Sequence, residues 1–117
     1  MPTTVLVVDD NQGFRSRARL LLEAEGCEVV GEAGDGETAI AEARRLEPQV
    51  VLLDVQLPDL DGFDVAARLN QLAVPPAVVL TSSRDWSDSA ELIDRSGARG
   101  FMPKDRLSGA RIEELIA

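Results

Sequence analysis

Four short apolar runs in this chain each stop at residues that carry chemistry. Val5-Leu6-Val7-Val8 stops at Asp9-Asp10, and Val50-Val51-Leu52-Leu53 stops at Asp54. Ala77-Val78-Val79-Leu80 stops at Thr81-Ser82, and Gly100-Phe101-Met102-Pro103 stops at Lys104. Apolar runs of this length, separated by helix-like stretches, read as buried strands of a parallel sheet. Parallel strands deliver their carboxyl ends to one edge, where such sheets bind ligands. Three acids, a hydroxyl and a lysine are therefore expected to converge. Crowded carboxylates repel unless a cation neutralises them. The grouping reads as a site for a divalent metal and an incoming phosphoryl group.

Apolar runs and amphipathic stretches alternate five times along the chain. The predicted strands are 4–9, 28–33, 50–54, 77–81 and 99–103. The first predicted helix, 12–25, carries Phe14, Ala18, Leu21 and Leu22 on one face, with Asn11 or Asp10 to cap it and Gly26 to end it. The second, 37–46, turns Ala39, Ile40, Ala43 and Leu46 inward and is stopped by Pro48. The third, 62–72, turns in Val65, Ala66, Leu69 and Leu72. The fourth, 86–96, places Trp86, Ala90 and Ile93 on one face, and the fifth, 108–117, carries Ile112, Leu115 and Ile116. Repeated strand–helix units predict a single doubly wound α/β domain with helices on both faces of a five-stranded parallel sheet and right-handed crossovers. The first and third strands carry the acids and should be central neighbours. The order 2-1-3-4-5 meets that requirement and puts the site at its switch point.

The chain has 117 residues, enough for one domain with its own core. Its net charge of −9 argues against unaided binding to nucleic acid or to anionic membrane. One cysteine, Cys27, excludes an intramolecular disulfide, fits a reducing cytoplasm and is expected to be a small buried or half-buried filler. No apolar run approaches a bilayer span, and the N-terminus does not read as a signal peptide. The absence of histidine excludes a phosphohistidine, a histidine metal ligand and a Ser-His-Asp triad.

Within the predicted cluster, Asp54 is the expected nucleophile, because a carboxylate can take a phosphoryl group as an acyl phosphate. Mg²⁺ prefers carboxylates, waters and phosphate oxygens. Asp10 and Asp54 are the expected direct ligands, with Asp9 acting directly or through a water. The backbone carbonyl of Gln56, two residues beyond Asp54, is a further candidate ligand. Lys104 would meet the transferred phosphoryl oxygens as a point charge, and Thr81 would hydrogen-bond another of them. Phosphoryl transfer depends on such positioning and charge neutralisation.

The residues Val7-Val8-Asp9-Asp10-Asn11, Leu52-Leu53-Asp54-Val55-Gln56-Leu57-Pro58-Asp59-Leu60-Asp61-Gly62-Phe63, Val79-Leu80-Thr81-Ser82 and Gly100-Phe101-Met102-Pro103-Lys104 follow one another in order over nearly the whole chain. In this the sequence resembles a response-regulator receiver domain of two-component signalling. The resemblance implies a flavodoxin-like fold in which Asp54 is the phosphoacceptor and Asp9 and Asp10 are the acidic Mg²⁺ pair. It also implies that Thr81 is a switch hydroxyl, Lys104 a phosphoryl contact, and Phe101 the aromatic whose rotamer follows Thr81. Many relatives have Tyr where Phe101 stands, so a switch here would be a packing change alone. Many also follow the lysine with a proline, often in a cis bond; Asp105 stands there instead, which argues against a cis bond after Lys104. This Lys-Asp variant resembles receivers that commonly precede a helix-turn-helix output domain. The chain ends at Ala117, as expected of a free-standing receiver or of one cut before an effector.

The expected function is thus that of a cytoplasmic phospho-switch, with no enzymatic activity beyond its own phosphotransfer and autodephosphorylation. A histidine kinase or phosphotransfer protein would donate to Asp54. The face of the fourth helix, fifth strand and fifth helix would then change its affinity for a partner, an output domain or a second copy. Gln56 and Ser83 flank the site and are expected to tune the phosphoryl lifetime. One rival is a receiver-like interaction module that is never phosphorylated. A small-molecule phosphatase would need a substrate pocket or cap insertion, for which the connections are short. A flavin binder would need a phosphate loop after the first strand, where Asp9-Asp10 stands instead.

Overall fold

Val5 to Val8 and Val50 to Leu53 are buried on both faces, as uniformly apolar strands must be when helices cover a sheet from both sides. A computed structural model of the chain describes residues 2–84, 86 and 89–117. Its strands are β1 (Thr4–Val8), β2 (Glu28–Ala33), β3 (Val50–Asp54), β4 (Ala77–Ser82) and β5 (Gly100–Pro103). Its α-helices are α1 (Gln12–Ala24), α2 (Gly36–Leu46), α3 (Gly62–Leu69), α4 (Ala90–Arg95) and α5 (Gly109–Ile116). All four strand pairings are parallel, and the order is β2-β1-β3-β4-β5, as predicted.

Side chains alternate across the sheet and divide the core in two. Leu6, Val8, Val51, Leu53 and Leu80 face a cluster closed by Ile40, Val65, Leu69 and Ile93. Val5, Val7, Leu52 and Val79 face the opposite cluster, closed by Phe14, Leu22, Met102 and Ile112, which also takes in Cys27. Helix starts are set by side-chain caps. Asn11 accepts the Phe14 amide at 2.9 Å, Asp35 that of Thr38 at 2.7 Å, and Ser108 that of Arg111 at 3.2 Å. After α1, Gly26 adopts φ +93°, a left-handed conformation that glycine takes without strain. Glu47, in the same region at φ 48°, closes α2 one residue ahead of Pro48.

Three sequence readings need correction. The fourth helix begins at Ala90 and not at residue 86. Trp86 lies ahead of it, where its indole N–H donates to Ser82 Oγ at 3.2 Å and its ring meets Phe63 edge-on. These contacts set Trp86 against β4 and α3; Asp85, Ser87 and Asp88 lie outside the described residues. The third helix ends at Leu69, where tighter turns take over and the Asn70 side chain donates to the Ser96 carbonyl. Leu21 is 36% exposed, because Phe14, Ala18 and Leu22 occupy the centre of the α1 contact stripe and leave Leu21 at its margin. Every peptide bond in the described chain is trans, that after Lys104 included. No helix of the described residues is long and apolar enough to cross a membrane.

Candidate functional site

Strand register brings the polar ends together. Asp54 and Thr81 are direct partners across β3 and β4. Val8 pairs with Leu53, so Asp9 emerges beside Asp54. Ser82 pairs with Pro103, so Lys104 emerges on the same edge from β5. Carboxylate oxygens of Asp9, Asp10 and Asp54 lie within 4.8 Å of one another. Asp9, Asp54 and Thr81 are buried, whereas Asp10 is exposed.

Lys104 is the cation of this cluster. Its ammonium donates to Asp54 Oδ2 at 3.2 Å and lies 2.5 Å from Asp9 Oδ2, an ion contact rather than an aligned hydrogen bond. It also stands 4.9 Å from the centre of the Phe14 ring. Asp54 Oδ1 accepts the Gln56 amide at 3.1 Å. Burial raises the Asp54 pKa; the Gln56 amide and the Lys104 charge oppose that, the Asp9 charge adds to it, and the net shift is upward. Burial works against the Lys104 charge, but Asp9 and Asp54 outweigh it and raise its pKa.

One ammonium faces three carboxylates, so the cluster retains excess negative charge. The Thr81 hydroxyl beside it is buried and has no hydrogen-bond partner among the described residues. A buried hydroxyl left unpaired costs free energy. An all-oxygen set with this charge suits a hard divalent cation such as Mg²⁺, and the unpaired hydroxyl suits an additional acceptor placed between it and Asp54. The residues present therefore fit the metal that the sequence implied.

The loop that carries Asp54 is held from two sides. A Cβ at Gly62 would stand 2.4 Å from the Asp54 carbonyl and 2.6 Å from Val55 Cα, so the start of α3 can sit against β3 only as glycine. Asp61 caps α3 through the Phe63 amide at 2.7 Å. Asp59 accepts the Gly36 amide at 2.7 Å and the Glu37 amide at 3.0 Å, which ties the loop to the start of α2. The Gly36 amide is the main cause of a lowered Asp59 pKa.

The structure thus gathers Asp9, Asp10, Asp54, Thr81 and Lys104. Gln56 joins them through its amide and bridges to Asp61. Ser83 lines an open cleft of about 580 Å³ together with Asn11, Phe14, Arg17 and Lys104. Phe101 is half-buried against the α3 and α4 side of the sheet, not beside the acids. The sequence reading missed Arg15 and Asp59. Arg15 Nη1 donates to the Asp9 carbonyl at 2.6 Å. A hint was present in Arg15 and Arg19, one helical turn apart and opposite a strand with Glu32.

The family sequence model of the response regulator receiver domain matches residues 5–116. The chain belongs to the response-regulator receiver-domain family. Among curated proteins, this receiver is 39% identical over 104 residues to the virulence-factor transcription regulator BvgA of Bordetella pertussis, covering 89% of the chain and 50% of that protein. It is 32% identical over 126 aligned positions to the transcriptional regulatory protein PdtaR of Mycobacterium tuberculosis, covering 100% of the chain and 62% of that protein. Among solved structures, the signal receiver domain of NarL from Mycobacterium tuberculosis superposes with a TM-score of 0.85 at 33% identity, over 97% of this chain and 96% of that one. The chain spans about half the length of BvgA and of a related transcriptional regulator of Pseudomonas aeruginosa.

Proposed function

We propose that this receiver is a phosphoacceptor switch in which Asp54 takes a phosphoryl group from a histidine kinase or phosphotransfer protein. In that step a carboxylate oxygen of Asp54 forms the new P–O bond as the donor's P–N bond breaks. The observation that carries the reading is the buried Thr81 hydroxyl, unpartnered among the described residues and standing in register with Asp54. It lacks an acceptor in the resting site, and an oxygen of an acyl phosphate on Asp54 would supply one. Lys104 already lies within reach of Asp54 and would accompany the transferred group as its counter-charge. Asp9, Asp10, Asp54 and the Gln56 carbonyl are the groups that would hold Mg²⁺. Bound there, the cation supplies neutralisation of the phosphoryl charge.

Movement of Thr81 toward the phosphoryl group would leave space on the sheet for half-buried Phe101 to repack. The surface of α4, β5 and α5 would then shift between two packings. That surface is the proposed contact for a partner, an output domain or a second copy. A transcriptional output follows the relatives, and the compartment proposed is the cytoplasm. With a net charge of −9 this domain would not itself grip DNA. Gln56 and Ser83 are proposed to set how fast water removes the phosphoryl group.

Intact-protein mass after incubation with acetyl phosphate, with and without Mg²⁺, tests the reading. The expected result is a Mg²⁺-dependent gain of one phosphoryl group that is absent in Asp54→Asn. If neither acetyl phosphate nor a phosphohistidine donor modifies the wild type, the domain acts as an unphosphorylated interaction module instead.

A further inference from the structure

We infer that Arg15 is a positioning residue for the acidic site: it bridges the Asp9 carbonyl to Glu32 of β2 and thereby fixes where the Asp9 carboxylate points. The inference rests on the reading of Asp9, Asp10 and Asp54 as a Mg²⁺ site.

Glu32 is held by two arginines from consecutive turns of α1. Arg15 Nε lies 3.1 Å from Oε1, and Arg19 Nε lies 2.9 Å from Oε2. The second arms of the two guanidinium groups diverge. Arg19 Nη1 donates to the Val29 carbonyl at 3.0 Å, inside β2. Arg15 Nη1 donates to the Asp9 carbonyl at 2.6 Å, at the site. Both arginines join α1 to β2 through Glu32, and what distinguishes Arg15 is its second contact, to Asp9.

Asp9 is consequently tethered at nearly every polar atom. Its amide donates to the Ala33 carbonyl at 3.0 Å, its carbonyl accepts from Arg15, and its Oδ1 accepts the Asn11 amide at 2.9 Å. Oδ2 remains, and it faces Lys104. A metal-binding carboxylate gains affinity when neighbouring groups fix its orientation before the metal arrives. The guanidinium also adds positive charge behind a cluster that has too little, without occupying a ligand oxygen. A lysine at this position would keep the charge, but its single ammonium cannot reproduce the planar fork that reaches both Glu32 and Asp9.

Mg²⁺ titration by calorimetry of wild type, Arg15→Lys and Arg19→Lys separates these roles. Both variants preserve net charge and both weaken the α1–β2 link, but only Arg15→Lys disturbs Asp9. Arg15→Lys is expected to weaken Mg²⁺ binding about tenfold, while Arg19→Lys stays within about twofold of wild type. Unfolding midpoints measured in EDTA report any purely structural loss, which is expected to be similar in the two. Wild-type affinity in folded Arg15→Lys, or an equal loss in Arg19→Lys, overturns the inference. Should Arg15→Lys not fold, Glu32→Gln is titrated in its place, and an unchanged affinity there overturns it as well. A wild type that takes up no Mg²⁺ overturns the metal reading first, and the role of Arg15 with it.

Discussion

Asp54 and Thr81 stand side by side at the ends of β3 and β4, and the hydroxyl of Thr81 is buried with no hydrogen-bond partner among the described residues. This unsatisfied donor is tolerated in the resting state and is expected to be used only after Asp54 is modified. Thr81→Val keeps the shape and removes the orphaned group. The variant is expected to raise stability in urea by about 1 kcal/mol while blunting the shift in α4–β5–α5 amide resonances proposed to follow phosphorylation. A loss of stability in the variant would mean that the hydroxyl has a partner after all.

Lys104 balances part of the charge of Asp9 and Asp54. Lys104→Met leaves both carboxylates without their ammonium. Because the lysine is 20% exposed, the expected loss is somewhat below that of a fully buried pair, on the order of 2–3 kcal/mol without metal. Saturating Mg²⁺ should recover more of the unfolding midpoint in the variant than it adds to wild type, since it would replace the missing positive charge. Thermal unfolding with Mg²⁺ and with EDTA measures both effects.

Gly62 packs its bare Cα against the backbone of Asp54 and Val55. Both contacts are to main-chain atoms, which cannot rotate aside. Gly62→Ala is therefore expected to cost about 1–3 kcal/mol and to displace the Asp54 loop. The stability loss is read from denaturant unfolding, and the displacement from a slower gain of phosphoryl mass with acetyl phosphate.

The Glu32 pKa is lowered: burial opposes its charge, but hydrogen bonds from Arg19 and then Arg15 prevail. Folded Glu32 thus binds its proton more weakly than unfolded Glu32 does. Its contribution to stability is complete above the ordinary value of 4.5 and is lost as pH falls through the lower folded value. The stability difference between wild type and Glu32→Gln is expected to be flat from about pH 6 to 8 and to shrink in more acidic solution. A difference that instead grows on acidification would contradict the paired arrangement.

The alternation of strands and helices was legible because buried parallel strands must be apolar on both faces, and Val5 to Val8 and Val50 to Leu53 leave little else possible. The convergence of Asp9, Asp54, Thr81 and Lys104 followed from the same reasoning, since parallel strands end on one edge. The start of α4 was not legible. The apolar spacing of Trp86, Ala90 and Ile93 suits a helix equally well, and it does not reveal that Trp86 meets Ser82 and Phe63 ahead of α4. The exposure of Leu21 likewise depends on how α1 is rotated against the sheet.

By itself the sequence determined the chain's fold class, the edge on which its chemistry gathers and the residue types gathered there, because periodicity and strand direction are local properties. Tertiary structure alone decided how neighbouring residues divide their roles. Asp9 and Asp10 are adjacent in the chain, yet one is buried against Lys104 and the other is open to solvent. Arg15 and Arg19 share Glu32, yet only Arg15 reaches the site. Such distinctions come from side chains brought together from distant elements, and their geometry depends on packing that no single stretch of sequence contains.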